Sequence, residues 1–117
     1  MHETALAQEL VEIAERIARE NGVRRLCSLT LELGELTCVD PETLAFAFDV
    51  ACRGSVAEGC ELVFRRVALR VSCPACGREG PAEAELLGCP GCGAPVRVLA
   101  GREMRVVSVE AEDEGHA

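Results

Sequence analysis

Apolar residues recur at helical spacing near the start of the chain and again in its middle. The first series runs from Leu6 to Ile17, and Asn21-Gly22 supplies a stop signal after it. The second series follows Asp40-Pro41, an N-cap residue and a proline suited to the first helical position. The pattern predicts two helices: the first amphipathic, with one face laid on a sheet, and the second apolar nearly all round. The second helix should therefore be more deeply buried than the first or meet a partner.

Alternation of apolar and polar residues predicts a first strand from Cys27 to Leu33, with one buried face and one wet face. A second strand is predicted from about Cys60 to Val71, where a shift of the apolar phase at Arg65-Arg66 indicates a β-bulge. Met104 to Val109 has high β-propensity and predicts a final strand, followed by a short acidic tail. Two helices and a small sheet indicate an α+β fold.

Composition limits the class of protein. A chain of 117 residues that is 49% hydrophobic has room for one modest core and a small metal-nucleated unit. Its start lacks the features of a signal peptide, and its apolar runs are shorter than the ~20 residues that span a bilayer. We therefore expect a cytoplasmic protein that does not contact membranes. The formal net charge of -8 argues against nucleic acid as the main partner.

The most specific signal is a pair of Cys-x-x-Cys motifs. Cys73 and Cys76 form the first, Cys89 and Cys92 form the second, and a glycine follows each motif. Four thiolates on two tight turns match the tetrahedral sulfur shell of Zn²⁺, with metal–sulfur bonds of ~2.3 Å. We interpret residues 72–101 as a zinc ribbon inserted before the last strand. Residues 1–71 and 102–110 would then form the α/β domain, with 111–117 as a flexible tail.

Three other kinds of site use similar ligands. A rubredoxin-like iron site is disfavoured because the loop between the motifs has no aromatic residue to shield a redox centre. A redox dithiol needs only one pair, and a nucleic-acid ribbon normally presents a basic face. A closed structural zinc site remains. The other cysteines lack paired spacing and are interpreted as small buried or incidental residues: Cys27, Cys38, Cys52 and Cys60.

Met1-His2-Glu3 contains a second set of candidate metal ligands. In most proteins a histidine at position two belongs to a frayed terminus. Here the amine of Met1, the backbone nitrogen and imidazole of His2, and the backbone nitrogen of Glu3 could surround one ion in a plane. Such a nitrogen-rich plane suits Ni²⁺ or Cu²⁺ rather than tetrahedral Zn²⁺. Cytosolic copper is mostly Cu(I), which prefers sulfur, so nickel is the better interpretation.

The chain resembles the HypA/HybF family of hydrogenase nickel-insertion proteins over nearly its whole length. The resemblance is carried by Met1-His2-Glu3, the segment 33–42, Phe46-Ala-Phe48 and the two Cys-Pro-x-Cys-Gly motifs. It implies a nickel-binding α/β unit and a zinc-binding unit, with His2 as the principal nickel ligand. The implied zinc ligands are Cys73, Cys76, Cys89 and Cys92. It also implies work with the GTPase HypB, delivery of nickel to the hydrogenase large subunit and, in some members, service to urease.

Two functions from different classes compete at this point. The first is a nickel metallochaperone, with structural Zn²⁺ and transferred Ni²⁺, that has no catalytic activity of its own. The second is a zinc-ribbon interaction or regulatory module in which Met1-His2-Glu3 has no metal role. An enzyme is disfavoured because no Cys-His or Ser-His-Asp arrangement is visible and a four-cysteine site has no open position.

Overall fold

The computed structural model of the chain describes residues 3–83 and 88–111. Helix α1 spans Glu3–Asn21 and buries a stripe of leucine and alanine residues. As predicted, it ends at Asn21, and the following Gly22 has a φ of 67°. The Val23 amide donates to the carbonyl of Ala18 at 2.9 Å, which satisfies a carbonyl of the last turn. This helix packs against the second helix, and its packing on a sheet stays a prediction.

Helix α2 spans Pro41–Ala51, and Asp40 is its N-cap as the sequence predicts. The Asp40 carboxylate accepts hydrogen bonds from the amide of Glu42 at 3.1 Å and the hydroxyl of Thr43 at 2.7 Å. Two of its residues, Leu44 and Phe48, are fully buried, whereas Phe46 is 72% exposed. Helix α1 buries the larger share of its residues, so of the two predicted environments, burial deeper than that of α1 is wrong.

The first sheet has three strands in the order β2-β1-β6. Strand β1 spans Leu26–Gly34, β2 spans Glu61–Val67 and β6 spans Met104–Ala111. Leu29, Leu31 and Leu33 of β1 are completely buried, as the alternation predicts.

The other face of β1 is not uniformly wet. Ser28 and Glu32 are buried. The Ser28 hydroxyl donates to the carboxylate of Glu110 at 3.0 Å, and Arg105 Nε donates to Glu32 Oε1 at 2.7 Å. Long side chains of β6 thus shield polar groups of β1 that the alternating pattern predicts to be exposed to solvent. Cys27, which the same pattern predicts to point inward, is exposed.

The single strand predicted from Cys60 to Val71 is two strands in different sheets, so that prediction is wrong. After β2 the chain breaks at Ala68-Leu69, and β3 spans Arg70–Ser72. At this break the Leu69 amide donates to a side chain, Glu35 Oε1, at 2.6 Å instead of to a neighbouring strand. Glu35 belongs to a short 3-10 helix, Glu35–Thr37.

The second sheet has the order β4-β3-β5 and carries the cysteine motifs. Strand β4 spans Glu79–Pro81 and β5 spans Arg97–Ala100, and both pair antiparallel with β3. The two stalks of the ribbon are therefore β3 and β5, and the chain returns to the first sheet with β6. This order confirms a ribbon inserted before the last strand.

Contacts divide the chain into two compact units. The first comprises the chain up to Leu31, Val39–Phe64 and the chain from Val106 onward. The second comprises Glu32–Cys38 and Arg65–Arg105. The limits of 72–101 expected for the ribbon stay a prediction. Within the described ranges, neither helix has the length and apolar character required to cross a bilayer.

Candidate metal centre

The first cysteine motif folds into a tight turn at the end of β3. The Cys73 carbonyl accepts from the Gly77 amide at 2.8 Å, and the Cys73 amide donates to the carbonyl of Arg78 at 2.8 Å. Gly77 has a φ of 79°, a conformation that suits glycine. The chain reversal turns the amide of Cys76 toward Cys73 Sγ, at 3.5 Å. The turn thus brings an N–H dipole to a sulfur atom.

The second motif repeats this geometry. The Cys89 carbonyl accepts from the Gly93 amide at 2.8 Å, and the Cys89 amide donates to Ala94 at 2.9 Å. Gly93 has a φ of 78°. The Gly91 amide donates to Cys89 Sγ at 3.3 Å. Two nearly identical turns therefore each offer two sulfur atoms, as their sequences predict.

The four sulfur atoms converge on one point. All lie within 4.8 Å of one another, with 3.6 Å between Cys73 and Cys92 and 3.7 Å between Cys76 and Cys89. A tetrahedral ion with bonds of ~2.3 Å places its sulfur ligands about 3.8 Å apart. The cluster therefore has the dimensions of a Zn²⁺ site, and its cysteines fit that ion. The first cysteine of each motif is buried, and the second cysteine of each motif is exposed.

Amide hydrogen bonds favour thiolates in this cluster. The pKa of Cys73 is lowered, chiefly by the Cys76 amide, and the pKa of Cys89 is lowered to about 6 by the amides of Cys92 and Gly91. The Ala94 amide acts in the same direction on Cys92, but hydrogen bonds with Cys73 and Cys89 outweigh it and raise that pKa to about 11. Binding of a divalent ion would release the proton that Cys92 retains.

Met1 and His2, the predicted nickel ligands, lie outside the described residues. Glu3 is the first described residue of α1 and is half-buried. Beside it, a groove of about 340 Å³ is lined by residues of both helices, including Phe46 and Val50. Phe46 is 72% exposed and Val50 is 41% exposed, so the groove has an apolar rim.

The remaining cysteines form no further metal cluster among the residues that the structure describes. Cys52 and Cys60 are buried, in agreement with the sequence interpretation, whereas Cys27 and Cys38 are exposed. Cys38 adopts a left-handed conformation with a φ of 57° as it ends the 3-10 helix. None of the four shares the metal-ligand geometry of the ribbon.

Sequence reasoning missed what the Leu-Gly-Glu-Leu segment does. The amide of Gly34 donates to Glu103 at 2.7 Å, and a Cβ at Gly34 would lie 2.1 Å from the carbonyl oxygen of Gly101. Gly34 is therefore required for close backbone approach. Together with the bond from Leu69 to Glu35, these contacts fix the start of β3 and the end of β5. These contacts join residues far apart in sequence. The one sequence feature that pointed to them was the Leu-Gly-Glu-Leu segment itself, which the family resemblance singled out.

The comparisons with known proteins agree with one another over nearly the whole chain. Residues 1–111 match the family model HypA, described as hydrogenase/urease nickel incorporation, metallochaperone. A hydrogenase maturation factor HypA of Geobacter metallireducens is 42% identical, covering 96% of this chain and 100% of that protein. A hydrogenase maturation factor HybF of Salmonella typhimurium is 37% identical with the same coverage.

The fold is also that of solved structures. The solution structure of the Ni metallochaperone HypA from Helicobacter pylori has a TM-score of 0.69 and 24% identity, covering 97% of this chain and 100% of that chain. A second solution structure of a HypA protein has a TM-score of 0.72. Because the family model and the relatives span the chain almost from end to end, this chain belongs to the HypA/HybF family of hydrogenase/urease nickel-incorporation metallochaperones.

Proposed function

We propose that this chain binds Ni²⁺ at its N-terminus and helps to insert it into the large subunit of a [NiFe]-hydrogenase. The observation that carries the proposal is membership of a nickel-incorporation family over residues 1–111. The ligands are the amine of Met1, the imidazole and backbone nitrogen of His2, and the backbone nitrogen of Glu3. Such a planar nitrogen set suits Ni²⁺.

The start of α1 supports this assignment. The described part of the helix begins at Glu3, and the first four amides of a helix have no intrahelical acceptor. These amides are therefore available to a ligand. A shallow site at a chain end also fits delivery, since a carrier must release the ion that it binds.

The four-cysteine cluster has a different role in the proposal. Cys73, Cys76, Cys89 and Cys92 hold one structural Zn²⁺ with no open coordination position. Zinc then serves the fold of the ribbon, and nickel is cargo held by the other unit. The ribbon corresponds to 72–101, and the nickel unit to 1–71 with 102–110.

The proposed partners follow from the family. Relatives are named hydrogenase maturation factors, which supports a role in hydrogenase maturation. The partners in the proposal are the GTPase HypB and the hydrogenase large subunit, with urease maturation as a further acceptor system. We place this work in the cytoplasm, and the chain itself acts as a carrier without catalysis. The exposed Phe46 and Val50 beside Glu3 support a protein contact close to the nickel site.

Nickel titration of tag-free protein tests the proposal. The wild type should bind one Ni²⁺, and His2→Ala should lose this binding while its zinc content and fold stay unchanged. His116→Ala is the matched control because it removes the only other histidine of the chain. One added residue before Met1 should also abolish binding, because it displaces the amine.

Unchanged nickel affinity in His2→Ala would contradict the N-terminal site. Loss of hydrogenase maturation without loss of nickel binding would instead favour an interaction module. Acidification should weaken nickel binding in the wild type, because the amine, imidazole and amides must lose protons before they bind.

A further inference from the structure

Gly91 is the one position where the two cysteine turns differ in their central residues. The first turn has Ala75 at the equivalent place, between proline and the second cysteine. Gly91 is not among the described glycines with positive φ. Its backbone conformation is therefore open to any residue, and glycine is not needed there for the turn. Another reason must account for the missing side chain.

The space beside Gly91 is filled by the guanidinium group of Arg78. A Cβ at position 91 would lie 2.7 Å from Arg78 Nε, 2.8 Å from Cζ and 3.0 Å from Nη2. These three distances show that the planar group lies flat against the second turn. A Cβ at position 91 would therefore require the guanidinium group of Arg78 to move away from the second turn.

Arg78 also holds the first turn. Its carbonyl accepts from the Cys73 amide at 2.8 Å. Its side chain lies beside Gly91, whose amide donates to Cys89 Sγ at 3.3 Å. Arg78, Cys73 and Cys89 also line one cavity of about 290 Å³. A single residue thus connects both halves of the cluster.

The charge of this arrangement favours a bound ion. Four thiolates around one divalent ion leave a net negative charge, and a guanidinium remains cationic at all ordinary pH values. Groups beyond the direct ligands commonly set metal affinity, and their loss costs about 10- to 100-fold. Because Arg78 contacts backbone rather than sulfur and is exposed, the lower end of that range applies.

We propose that Arg78 is a positioning residue of the metal centre, which lies across the second cysteine turn and slows the loss of its ion. The inference rests on zinc occupancy of the cluster and is independent of the nickel site. Arg78 offsets the charge of the thiolates from its place beside Gly91.

Two substitutions test the residue by different routes. Arg78→Gln removes the charge, while Gly91→Ala retains Arg78 but displaces its side chain. Arg66→Gln is the control for net charge, because Arg66 is an exposed arginine of β2. Gly80→Ala is the control for an added methyl group, since a Cβ there meets nothing within 4 Å.

The measurement is the rate at which protein loaded with one equivalent of Zn²⁺ transfers the ion to a chromophoric chelator. Arg78→Gln and Gly91→Ala should each transfer zinc about 10-fold faster than the wild type, and both controls should match the wild type. The difference should shrink at about 1 M salt, where screening lengths fall to ~3 Å. Arg78→Lys should restore part of the effect, because it keeps the charge but not the planar group.

Equal rates in Arg78→Gln and Arg66→Gln would overturn the inference. A wild-type rate in Gly91→Ala would overturn it as well, because the contact with Gly91 would then have no effect on the ion. A salt-independent difference would assign the effect to packing and contradict the electrostatic role. Wild-type protein that takes up no zinc would overturn the zinc assignment and this inference together, whatever the nickel titration shows.

Discussion

Burial divides the four cysteines outside the metal cluster into two kinds of thiol. Cys52 is 1% exposed and Cys60 is 6% exposed. Burial, followed by the nearby Cys60, raises the pKa of Cys52 to about 12, and burial, followed by Cys27, raises the pKa of Cys60 to about 11. Both thiols therefore stay protonated in the folded protein at neutral pH and are poor nucleophiles.

Alkylation should reveal this division. In zinc-loaded protein treated with iodoacetamide, we expect the exposed Cys27 and Cys38 to be modified first, followed by Cys52 and Cys60 only upon unfolding. The four ribbon cysteines should stay protected until zinc is removed. Peptide mass mapping over time gives the order, and modification of Cys52 as fast as Cys38 would contradict it.

The raised pKa of Cys52 also predicts a loss of stability in alkaline solution. Above the ordinary thiol pKa of 9.0 the unfolded chain gives up a proton that folded Cys52 retains up to about 12. The unfolded state then binds fewer protons than the folded state, so the free energy of unfolding falls as the pH rises from about 9 to about 12. The stability that protonated Cys52 contributes is complete only below this range.

Urea unfolding at about pH 8 and about pH 10.5 measures the effect. Cys52→Ser should lessen the decrease between the two pH values, and Cys27→Ser, an exposed control, should leave it unchanged. A decrease of equal size in Cys52→Ser and the wild type would assign the alkaline effect to other groups.

Helix ends and the cysteine turns were predictable because their signals are local. Asp40-Pro41 places the start of α2, and Asn21-Gly22 places the end of α1, through contacts within a few residues. The break at Leu69 was not predictable. It depends on a carboxylate 34 residues away in sequence, and the alternation of apolar residues carries no trace of that bond.

The exposure of Phe46 escaped prediction for a related reason. Helical spacing shows which residues share a face, but a helix with apolar residues on several faces leaves the buried face undetermined. Phe46 and Phe48 are of one residue type in one helix, yet they are 72% and 1% exposed.

These two phenylalanines form a matched pair for mutagenesis. Phe48→Ala should lower the free energy of unfolding by ~3 to 5 kcal/mol, because it empties a buried site. Phe46→Ala should change it by no more than ~0.5 kcal/mol. Denaturant unfolding of both variants decides the matter, and equal losses would show that the burial of the two positions is misassigned.

Close approach of two backbone segments predicts a second pair. Gly34→Ala should destabilise the protein by ~1 to 3 kcal/mol or more, since its Cβ would lie 2.1 Å from the carbonyl oxygen of Gly101, and backbone cannot rotate away as a side chain can. Gly80→Ala in β4 meets nothing within 4 Å and should be nearly neutral. Thermal unfolding compares them, and a neutral Gly34→Ala would contradict the predicted clash.

Across the whole molecule, the two units depend on metal to different degrees. The second unit has short strands, and its described residues include few large buried side chains, among them Leu33, Leu69 and Val71. In the first unit the two helices pack against each other, and α1 buries a stripe of leucine and alanine residues. Structural zinc contributes on the order of 10 to 16 kcal/mol in small zinc-binding peptides, so the ribbon should rely on it most.

Zinc removal should therefore unfold the ribbon and spare the helices. After treatment with a strong chelator, hydrogen exchange should lose protection in β3 and β5, while the amides of α1 and α2 keep theirs. Added zinc should restore the ribbon. Unchanged protection in β3 without metal would show that the strands fold without the ion.

The exposure of the four cysteines alternates along the chain, with Cys73 and Cys89 at 2% and 5% and their partners Cys76 and Cys92 exposed. An oxidant or a competing soft metal ion must therefore attack Cys76 or Cys92 first. Each of these belongs to a different turn, so the first damaged ligand leaves three sulfurs in place, and these still come from both turns. Even loss of both exposed ligands leaves one buried sulfur on each turn. Oxidation of the exposed cysteines would thus weaken metal binding before it separates the two turns that the ion connects.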